Sequence, residues 1–339
     1  ARPSPRGQPQ MLCYELDAAI IVDHHTGQVG LFGENGKNSE VLRSILDNPS
    51  QCVHKPGSAR LEPLVSDTEH ARRIRQTREH IAAGNIYQAN IARRLHLNGE
   101  VDALGMLEAL TLDNPVPHGA YIRFGAIEVL SNTMETLLTF DPEDRITRSY
   151  PIKGTCERRE ENGHHLGETQ GLSQNPKERA EHVMIVDLVR NDLGRVCTPG
   201  SVRVPKLMHI EGYRGVWHGV SMIEGRLQPD LDVVDAVQAL FPGGSITGAP
   251  KRRAMQIIDE LEQDPRGFYT GSIGLITPTG RLSMSILIRT LVRDAEGWSL
   301  SVGGGIVTDS HPEREIDETW EKVRVFERIL GQRPSLKQH

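Results

Sequence analysis

The sequence predicts an α+β protein built mainly from antiparallel strands with flanking helices. Three observations carry this expectation. Strand-like runs come in neighbouring pairs separated by turn residues, and helical stretches do not alternate with them one for one, as a doubly wound sheet would require. No repeat period or low-complexity tract organises the chain.

The elements follow in order. Residues 1–10 are polar and proline-rich and read as a disordered lead. Over 11–33, alternation broken at Thr26-Gly27 predicts two strands. A helix is expected from 67, with Asp67 as N-cap and Gly84 as its stop, and the β-branched stretch NIYQANIARRLHL after it reads as a strand. Strands are expected over 120–131 and 137–150, then a polar, candidate mobile loop over 156–177. NPKERAEHVMIVDLVRNDLG predicts a helix with Pro176 near its first turn and Gly194 near its end. Val183, Val186, Leu188 and Val189 supply its apolar face. Strand-like alternation returns at 201–227. DLDVVDAVQALF predicts a helix closed by Pro242-Gly243-Gly244, and APKRRAMQIIDELE another with Pro250 in its first turn. Strands at 268–277, 282–293 and 297–307 precede a final helix from about Pro312 to Ile329.

Of 339 residues, 37% are hydrophobic and 25% charged, an ordinary globular balance. A chain of this length buries a large core without disulfides or structural metals, as roughly two or three domains or one large unit. The net charge of −6 excludes a general polyanion binder, and short clusters such as Lys251-Arg252-Arg253 do not make the basic stripe that nucleic acid needs. Cys13, Cys52, Cys156 and Cys197 have neither C-x-x-C spacing nor a completing His pair, and read as reduced thiols of a cytoplasmic protein. With no secretory core at its start and no apolar run long enough to span a bilayer, no membrane partner is expected.

Four features offer chemistry. Glu178 and Glu181, and again Glu315 and Glu318, stand three apart on predicted helices, so each pair shares a face. Two converging pairs of hard oxygen donors suit magnesium; the plain alternative is an acidic first turn favoured by the helix dipole. PGGSITGAPK, residues 242–251, is a Gly-rich turn entering a helix. Ala249 and Pro250 separate Gly248 from Lys251, so it is no Walker A loop; it is either an anion cradle or a tight connection. Gly303, Gly304 and Gly305 permit close approach of a ligand carboxylate or mark a crowded packing point. Lys153, in YPIKGT, is a nucleophile if desolvated and a surface charge otherwise. His218 and Arg289 lie in apolar strand contexts, as site residues or as satisfied core groups.

Taken in order, GNIYQAN, PIKGT, KERAEHVMIVDLVRNDLGRV, FPGGSITGAPKRRAMQIIDELE, RGFYTGSIGLI, LIRT and GGGIVTDSHPEREIDETWEK resemble the chorismate-utilising enzymes over roughly residues 67–330. That family includes the synthase subunits for anthranilate and aminodeoxychorismate and the isochorismate and salicylate synthases. The resemblance implies the family's fold of two packed, mainly antiparallel sheets with flanking helices. It implies a catalytic domain over 67–330, a reduced N-terminal segment over 11–66 packing on it, and a tail over 331–339. The front is shorter than the family's usual N-terminal portion, so no tryptophan pocket is expected, nor a lyase or amidotransferase domain after His339.

The roles implied are specific. Glu181 and Glu318 would hold Mg²⁺, which holds the ring carboxylate of chorismate, with Glu178 and Glu315 supporting them. Tyr269, Arg289 and the backbone of Gly303, Gly304 and Gly305 would meet the enolpyruvyl carboxylate. Gly154, Thr155 and Ser245 would contact substrate, and His218 would line the ring pocket. Gln88 stands where water-using members carry a lysine base, and is similar to ammonia-using members. Lys153 replaces the alanine of the usual anthranilate synthase Pro-Ile-Ala-Gly-Thr and is similar to the aminodeoxychorismate synthase branch. There the amine attacks ring C2 as the C4 hydroxyl leaves, and ammonia then displaces it. Glu135 would be the acid that protonates the hydroxyl, although Thr133-Met134-Glu135-Thr136 replaces the usual Ser-Pro-Glu-Arg.

The implied activity is an aminotransferase-class synthesis of 4-amino-4-deoxychorismate for the p-aminobenzoate and folate pathway. Ammonia would come from a separate glutamine amidotransferase subunit. The alternatives are an anthranilate synthase component I and, from another class, a catalytically inactive scaffold paralogue.

Overall fold

A computed structural model describes residues 8–33, 36–49, 52–157, 175–213 and 216–332, and of Thr155, Glu157 and Lys177 the backbone alone. Residues 1–7 of the expected lead, most of the 156–177 loop and nearly all of the 331–339 tail lie outside the described residues. Pro9–His54 form one compact unit, and Gln8 with the chain from Lys55 onward belongs to a second.

In the smaller unit, β1 (Ala18–Asp23) and β2 (Gln28–Gly33) form the expected hairpin. Asp23 Oδ1 accepts the N–H groups of His25 and Thr26 at 2.8 and 3.2 Å, which closes the turn. Helix α1 (Lys37–Asp47), which the sequence reading passed over, follows.

The larger unit begins with β3 (Gly57–Pro63), α2 (Asp67–Ala82), β4 (Gln88–Val101), α3 (Ala103–Asp113), β5 (His118–Phe124) and β6 (Ile127–Thr133). It continues through β7 (Thr136–Asp141), β8 (Ile146–Tyr150), β9 (Ile152–Glu157), α4 (Pro176–Gly194), β10 (Arg203–Tyr213), β11 (Val216–Arg226) and α5 (Val233–Leu240). It ends with β12 (Gly248–Ala249), α6 (Lys251–Glu262), β13 (Ser272–Ile276), β14 (Leu282–Ile286), β15 (Thr290–Asp294), β16 (Gly297–Ile306) and α7 (Pro312–Ile329).

Two seven-stranded sheets result, with all described pairings antiparallel. One runs β12-β4-β16-β15-β6-β5 with β3 beside β4, and the other runs β10-β11-β8-β7-β14-β13 with β9 beside β11. The α+β class and the antiparallel bias read from sequence are therefore what the chain adopts. Because β3 is zipped along β4 from Gly57↔Val101 to Pro63↔Leu95, the larger unit begins before residue 67.

The apolar residues divide by layer. Leu138, Phe140, Ile223, Leu282 and Ile286 of one sheet meet Val186, Val189 and Leu193 of α4 and Leu240 of α5. Leu95, Leu130, Leu291 and Leu300 of the other meet Met106 and Leu110 of α3 and Val323 and Phe326 of α7. Ile74 of α2 and Ile257 of α6 cover Ile91 and Ile306. Of the face proposed for α4, Val186 and Val189 are buried while Val183 and Leu188 are half-buried. Among the described residues no helix is long and apolar enough to cross a membrane.

Several boundaries differ from the sequence reading. Ser66, not Asp67, caps α2, its side chain accepting from the Glu69 N–H at 3.2 Å, while Asp67 pairs with Arg93. The expected strands 120–131 and 137–150 are each hairpins of two strands. The expected strand 282–293 is two strands in different sheets, because the chain crosses between sheets at Leu287–Arg289. Burial on both sides of that crossing keeps the residues apolar, so periodicity carries no mark of it.

His70, on α2, is only 1% exposed, and its Nδ1 has no hydrogen-bond partner among the described residues. Burial, with the Arg93 and Arg73 charges adding to it, pulls the imidazole down to about 3. The folded state thus keeps it neutral while the unfolded chain protonates it below about 6.5. Its contribution is whole above that value and is lost as pH falls toward 3. His70→Leu should flatten the pH dependence of urea unfolding by about 1.4 kcal/mol per pH unit between pH 6 and 4. An unchanged slope would mean that the folded state tolerates a charged His70.

Candidate active site

The chain passes between the sheets at Met134–Glu135, from β6 to β7, and at Leu287–Arg289, from β14 to β15. Both crossings carry a residue singled out by sequence. Between them, β9 brings Lys153 toward the opposite sheet. A Cβ built on Gly305 of β16 would lie 2.8 Å from Lys153 Nζ and 2.9 Å from Gln88 Nε2, so the missing side chain is the space those two groups occupy. Lys153 Nζ also stands 3.3 Å from Glu181 Oε2 on α4. Gln88 is fully buried, yet both its amide atoms lack hydrogen-bond partners among the described residues. A buried, unsatisfied amide is costly, and its position beside Lys153 marks where a polar ligand would complete it.

Successive strand residues address opposite faces. Gly304 therefore opens toward α7, where a Cβ would lie 3.1 Å from Glu315 Oε2 and 3.9 Å from Glu318 Oε1. Burial lifts the Glu315 carboxyl above its ordinary range and the Glu318 charge adds to this. A Ser310 hydrogen bond and the charges of Lys153 and Lys322 act against it. The second Glu pair is thus within electrostatic reach of Lys153. Glu178 begins α4, its N–H donating to Asn175 Oδ1 at 3.4 Å. Among the described residues no group of three His, Cys, Asp or Glu side chains is gathered closely enough to hold a metal. The available donors are the two helix-borne carboxylate pairs, hard oxygens whose mutual repulsion a cation would relieve.

Glu135 is 4% exposed. Its N–H donates to Thr133 Oγ1 at 3.3 Å and its carbonyl accepts from Ile286 N at 3.0 Å. Thr136 Oγ1 lies 2.6 Å from His118 Nε2. The threonines that depart from the family's usual sequence therefore brace the crossing. Ser245 donates to Glu135 Oε1 at 2.5 Å, so this serine, expected near the substrate ring, is engaged with the acid. Burial raises the Glu135 carboxyl to about 7, against hydrogen bonds from Ser245 and the Ile152 N–H and the charge of Lys153.

His218 on β11 is buried, and burial with the nearby Arg289 charge brings it down to about 4, so its imidazole is neutral at pH 7. It is hydrogen-bonded to the Gly154 backbone, and Tyr213 packs edge-on at 5.5 Å between centroids. Gly154 has φ +85°, a conformation that favours glycine. Thr155 lies opposite His218 in the β9–β11 pairing, its side chain outside the description. Arg289 sits at φ +48° and its guanidinium makes no hydrogen bond or ion pair among the described residues. Such strain and an unpaired cation at a sheet crossing suit an anion site. Buried Tyr269 is tied to the same crossing through Thr270 N–H to Leu287 O at 2.8 Å, and Arg266 lies over its ring at 5.7 Å. Neither Arg289 nor Tyr269 has a hydrogen bond or ion pair to Lys153 among the described residues.

The sequence reading missed two supporting residues. His182 Nδ1 is 3.2 Å from Lys153 O and its Nε2 is 2.5 Å from Ser221 Oγ, which itself accepts from Met208 N–H at 2.8 Å. A carbonyl only accepts, so Nδ1 carries the proton and Nε2 accepts from the serine. Burial keeps His182 below its ordinary value, which that tautomer requires. Lys322 Nζ donates to Gly303 O at 2.8 Å and pairs with Glu318 Oε1 at 2.6 Å, joining α7 to the glycine strand. Their sequence signals were spacing alone: His182 follows Glu181, and Lys322 stands one turn after Glu318.

A family model described as chorismate binding enzyme matches residues 1–328, and the chain belongs to that family. It is 44% identical over 270 residues to anthranilate synthase component 1 1 of Haloarcula marismortui, covering 78% of this chain and 55% of that protein. It is 39% identical over 324 residues to aminodeoxychorismate synthase component 1 of Klebsiella aerogenes, covering 96% of this chain and 71% of that one. The solved structure of anthranilate synthase component I from Streptococcus pneumoniae superimposes with a TM-score of 0.82 at 27% identity, over 93% of this chain and 72% of that chain. The chain thus spans between about half and three quarters of the length of these relatives.

The glycines make separable predictions. A Cβ on Gly303 would meet Ile91 O at 2.7 Å and Ala92 Cβ at 2.9 Å, both on the paired strand. Gly303→Ala should cost about 1–3 kcal/mol by overpacking. Gly305→Ala meets the ends of Lys153 and Gln88, which yield, so its thermal midpoint should fall less. Equal losses in thermal denaturation would show that Gly305, too, is a packing glycine.

Proposed function

We propose that the protein is an aminodeoxychorismate synthase component I, converting chorismate and ammonia to 4-amino-4-deoxychorismate. The observation that carries this reading is Lys153 Nζ held between Gly305, Gln88 and Glu181, with Glu135 within range of its charge. Arg289 and the backbone of Gly303 to Gly305 hold the enolpyruvyl carboxylate. Gly154, Thr155 and the neutral His218 bound the ring, and Tyr269 supports the carboxylate end. Glu181 and Glu318, supported by Glu178 and Glu315, would hold Mg²⁺, whose charge when bound offsets and orients the ring carboxylate.

Chemistry then follows from this chain's own groups. The neutral amine of Lys153 forms a bond to ring C2, and the double bonds shift round the ring. The C4–O bond breaks, and its oxygen takes the proton of Glu135 and departs as water. A carboxyl raised to about 7 retains that proton to give near neutral pH. Ammonia next adds at C4, the double bonds shift back, the C2–N bond to Lys153 breaks, restoring the amine, and the new C4 ammonium returns a proton to the Glu135 carboxylate. Dividing one displacement into two lowers each barrier. Gln88, with its unsatisfied amide, borders the region through which ammonia enters. A glutamine amidotransferase subunit supplies the ammonia, and the product feeds p-aminobenzoate and folate synthesis.

The second reading is an anthranilate synthase component I, favoured by the 44% identity to the Haloarcula protein. Chorismate, Mg²⁺ and ammonium salt separate the two. Our reading expects a non-fluorescent product that an added lyase converts to p-aminobenzoate; direct appearance of anthranilate fluorescence would refute it. Lys153→Ala should lower ammonium-dependent turnover by at least about a hundredfold and remove any covalent adduct from the intact mass. Normal turnover in that variant would exclude a nucleophilic lysine. Chelation with EDTA should abolish turnover and Mg²⁺ should restore it; indifference to both would remove the metal from the reading.

A further inference from the structure

We propose that Ser245 is a positioning residue acting through Glu135: its hydroxyl, donating to Oε1, fixes the orientation of the carboxyl and so of its transferable proton. The inference rests on the reading of Glu135 as the acid, and changes the role expected for Ser245 from substrate contact to control of that acid.

The turn that holds Ser245 has little freedom. A Cβ on Gly244 would lie 2.7 Å from Leu188 Cδ2 of α4, and one on Gly243 would lie 2.8 Å from Ile286 Cδ1 of β14. The turn is therefore pressed against both the helix bearing Glu181 and the strand that accepts the Glu135 crossing. Thr247 Oγ1 donates to Gly243 O at 2.8 Å and its N–H to Gly244 O at 3.3 Å, closing the turn from within. The hydroxyl is thereby delivered to Glu135 Oε1 at 2.5 Å. The Ile152 N–H is a second donor to the same carboxyl, and together with the hydroxyl at Oε1 it fixes the plane in which the proton is carried.

The charged and titratable groups around Glu135 do not duplicate this role. Lys153 from β9 pulls electrostatically on the carboxyl. Asp192 of α4 lines the same recess but is held by Lys251 Nζ at 2.5 Å. His118 of β5 reaches Thr136 and is pushed below its ordinary value by burial.

The test is steady-state kinetics over a pH series with chorismate and ammonium salt. Ser245→Ala should lower kcat about tenfold and leave the KM for chorismate within about twofold, because the hydroxyl does not touch substrate. Losing a donor that stabilises the carboxylate should move the alkaline limb of kcat to higher pH. Ser245→Thr, which keeps the hydroxyl, should restore both. Combined with Glu135→Gln, Ser245→Ala should add no further loss. A raised KM with unchanged kcat and an unmoved limb would overturn the inference and return Ser245 to the substrate. Full activity of Glu135→Gln would instead remove the acid reading itself. An inactive Glu135→Gln beside a normal Ser245→Ala would remove only the role given to Ser245.

Discussion

The site depends on one missing side chain. Gly305 lies on β16, where the space a Cβ would fill is shared by Lys153 Nζ and Gln88 Nε2. These groups belong to different sheets: Lys153 to β9 and Gln88 to β4. The Lys153 amine and the buried Gln88 amide therefore share the space that a side chain at Gly305 would fill. The rest of the site is arranged around that space. His182 fixes the Lys153 carbonyl from behind, and Glu181, its neighbour on α4, pairs with the amine in front. Helix, strand and reactive group are thus one mechanical unit.

Electrostatics follow the same division. Glu181 of α4 pairs with Lys153, whereas Glu315 of α7 lies within the fields of Glu318, Lys153 and Lys322, and Glu318 pairs with Lys322. Burial raises the Glu135 carboxyl to about 7, while Ser245 and Ile152 limit how far it rises. Burial raises Glu315 as well, so the crossing and α7 each carry a carboxyl displaced toward its neutral form. His218 lies beside Arg289 as a neutral ring and so adds no second cation at the carboxylate end.

Much of this could be read from sequence, for identifiable reasons. The long helices α4, α6 and α7 carry their own boundaries in Pro176, Pro250 and Pro312: α4 and α7 begin at their prolines, while Pro250, expected in the first turn, is the N-cap just before α6. The Glu pairs were visible because helical spacing is local. What failed was non-local. Helices α1 and α3 and strand β3 passed unnoticed: α3 is apolar nearly all round, and β3 is defined by pairing with β4. The β14–β15 crossing was invisible because Arg289 turns the chain between two β-rich apolar stretches, with no Gly or Pro to mark it. His182, Ser221 and Lys322 are ordinary in sequence, and gain meaning only where strands from distant segments bring a carbonyl or a hydroxyl beside them. Ser245 was singled out correctly as part of a Gly-rich turn, yet its partner lies 110 positions away.

The crossings explain why such a large scaffold serves so few reacting atoms. Glu135 and Arg289 sit where the chain leaves one sheet for the other; Glu135 is tied to the sheet of Lys153 through the N–H groups of Ile286 and Ile152, whereas the separation of Lys153 from Gly305 and Gln88 is set by how the two sheets pack. Separate apolar layers hold each sheet to its own helices, and a third layer under α2 and α6 seals β4 and β16. A displacement of one sheet by a single ångström would move Lys153 away from Gly305 and Gln88 without breaking any hydrogen bond within either sheet. Orientation contributes heavily to catalysis only when reacting groups are held to that tolerance. Close-packed cores resist such displacement. The core residues therefore act on the site directly, by fixing the distance between Lys153 on one sheet and Gly305 and Gln88 on the other.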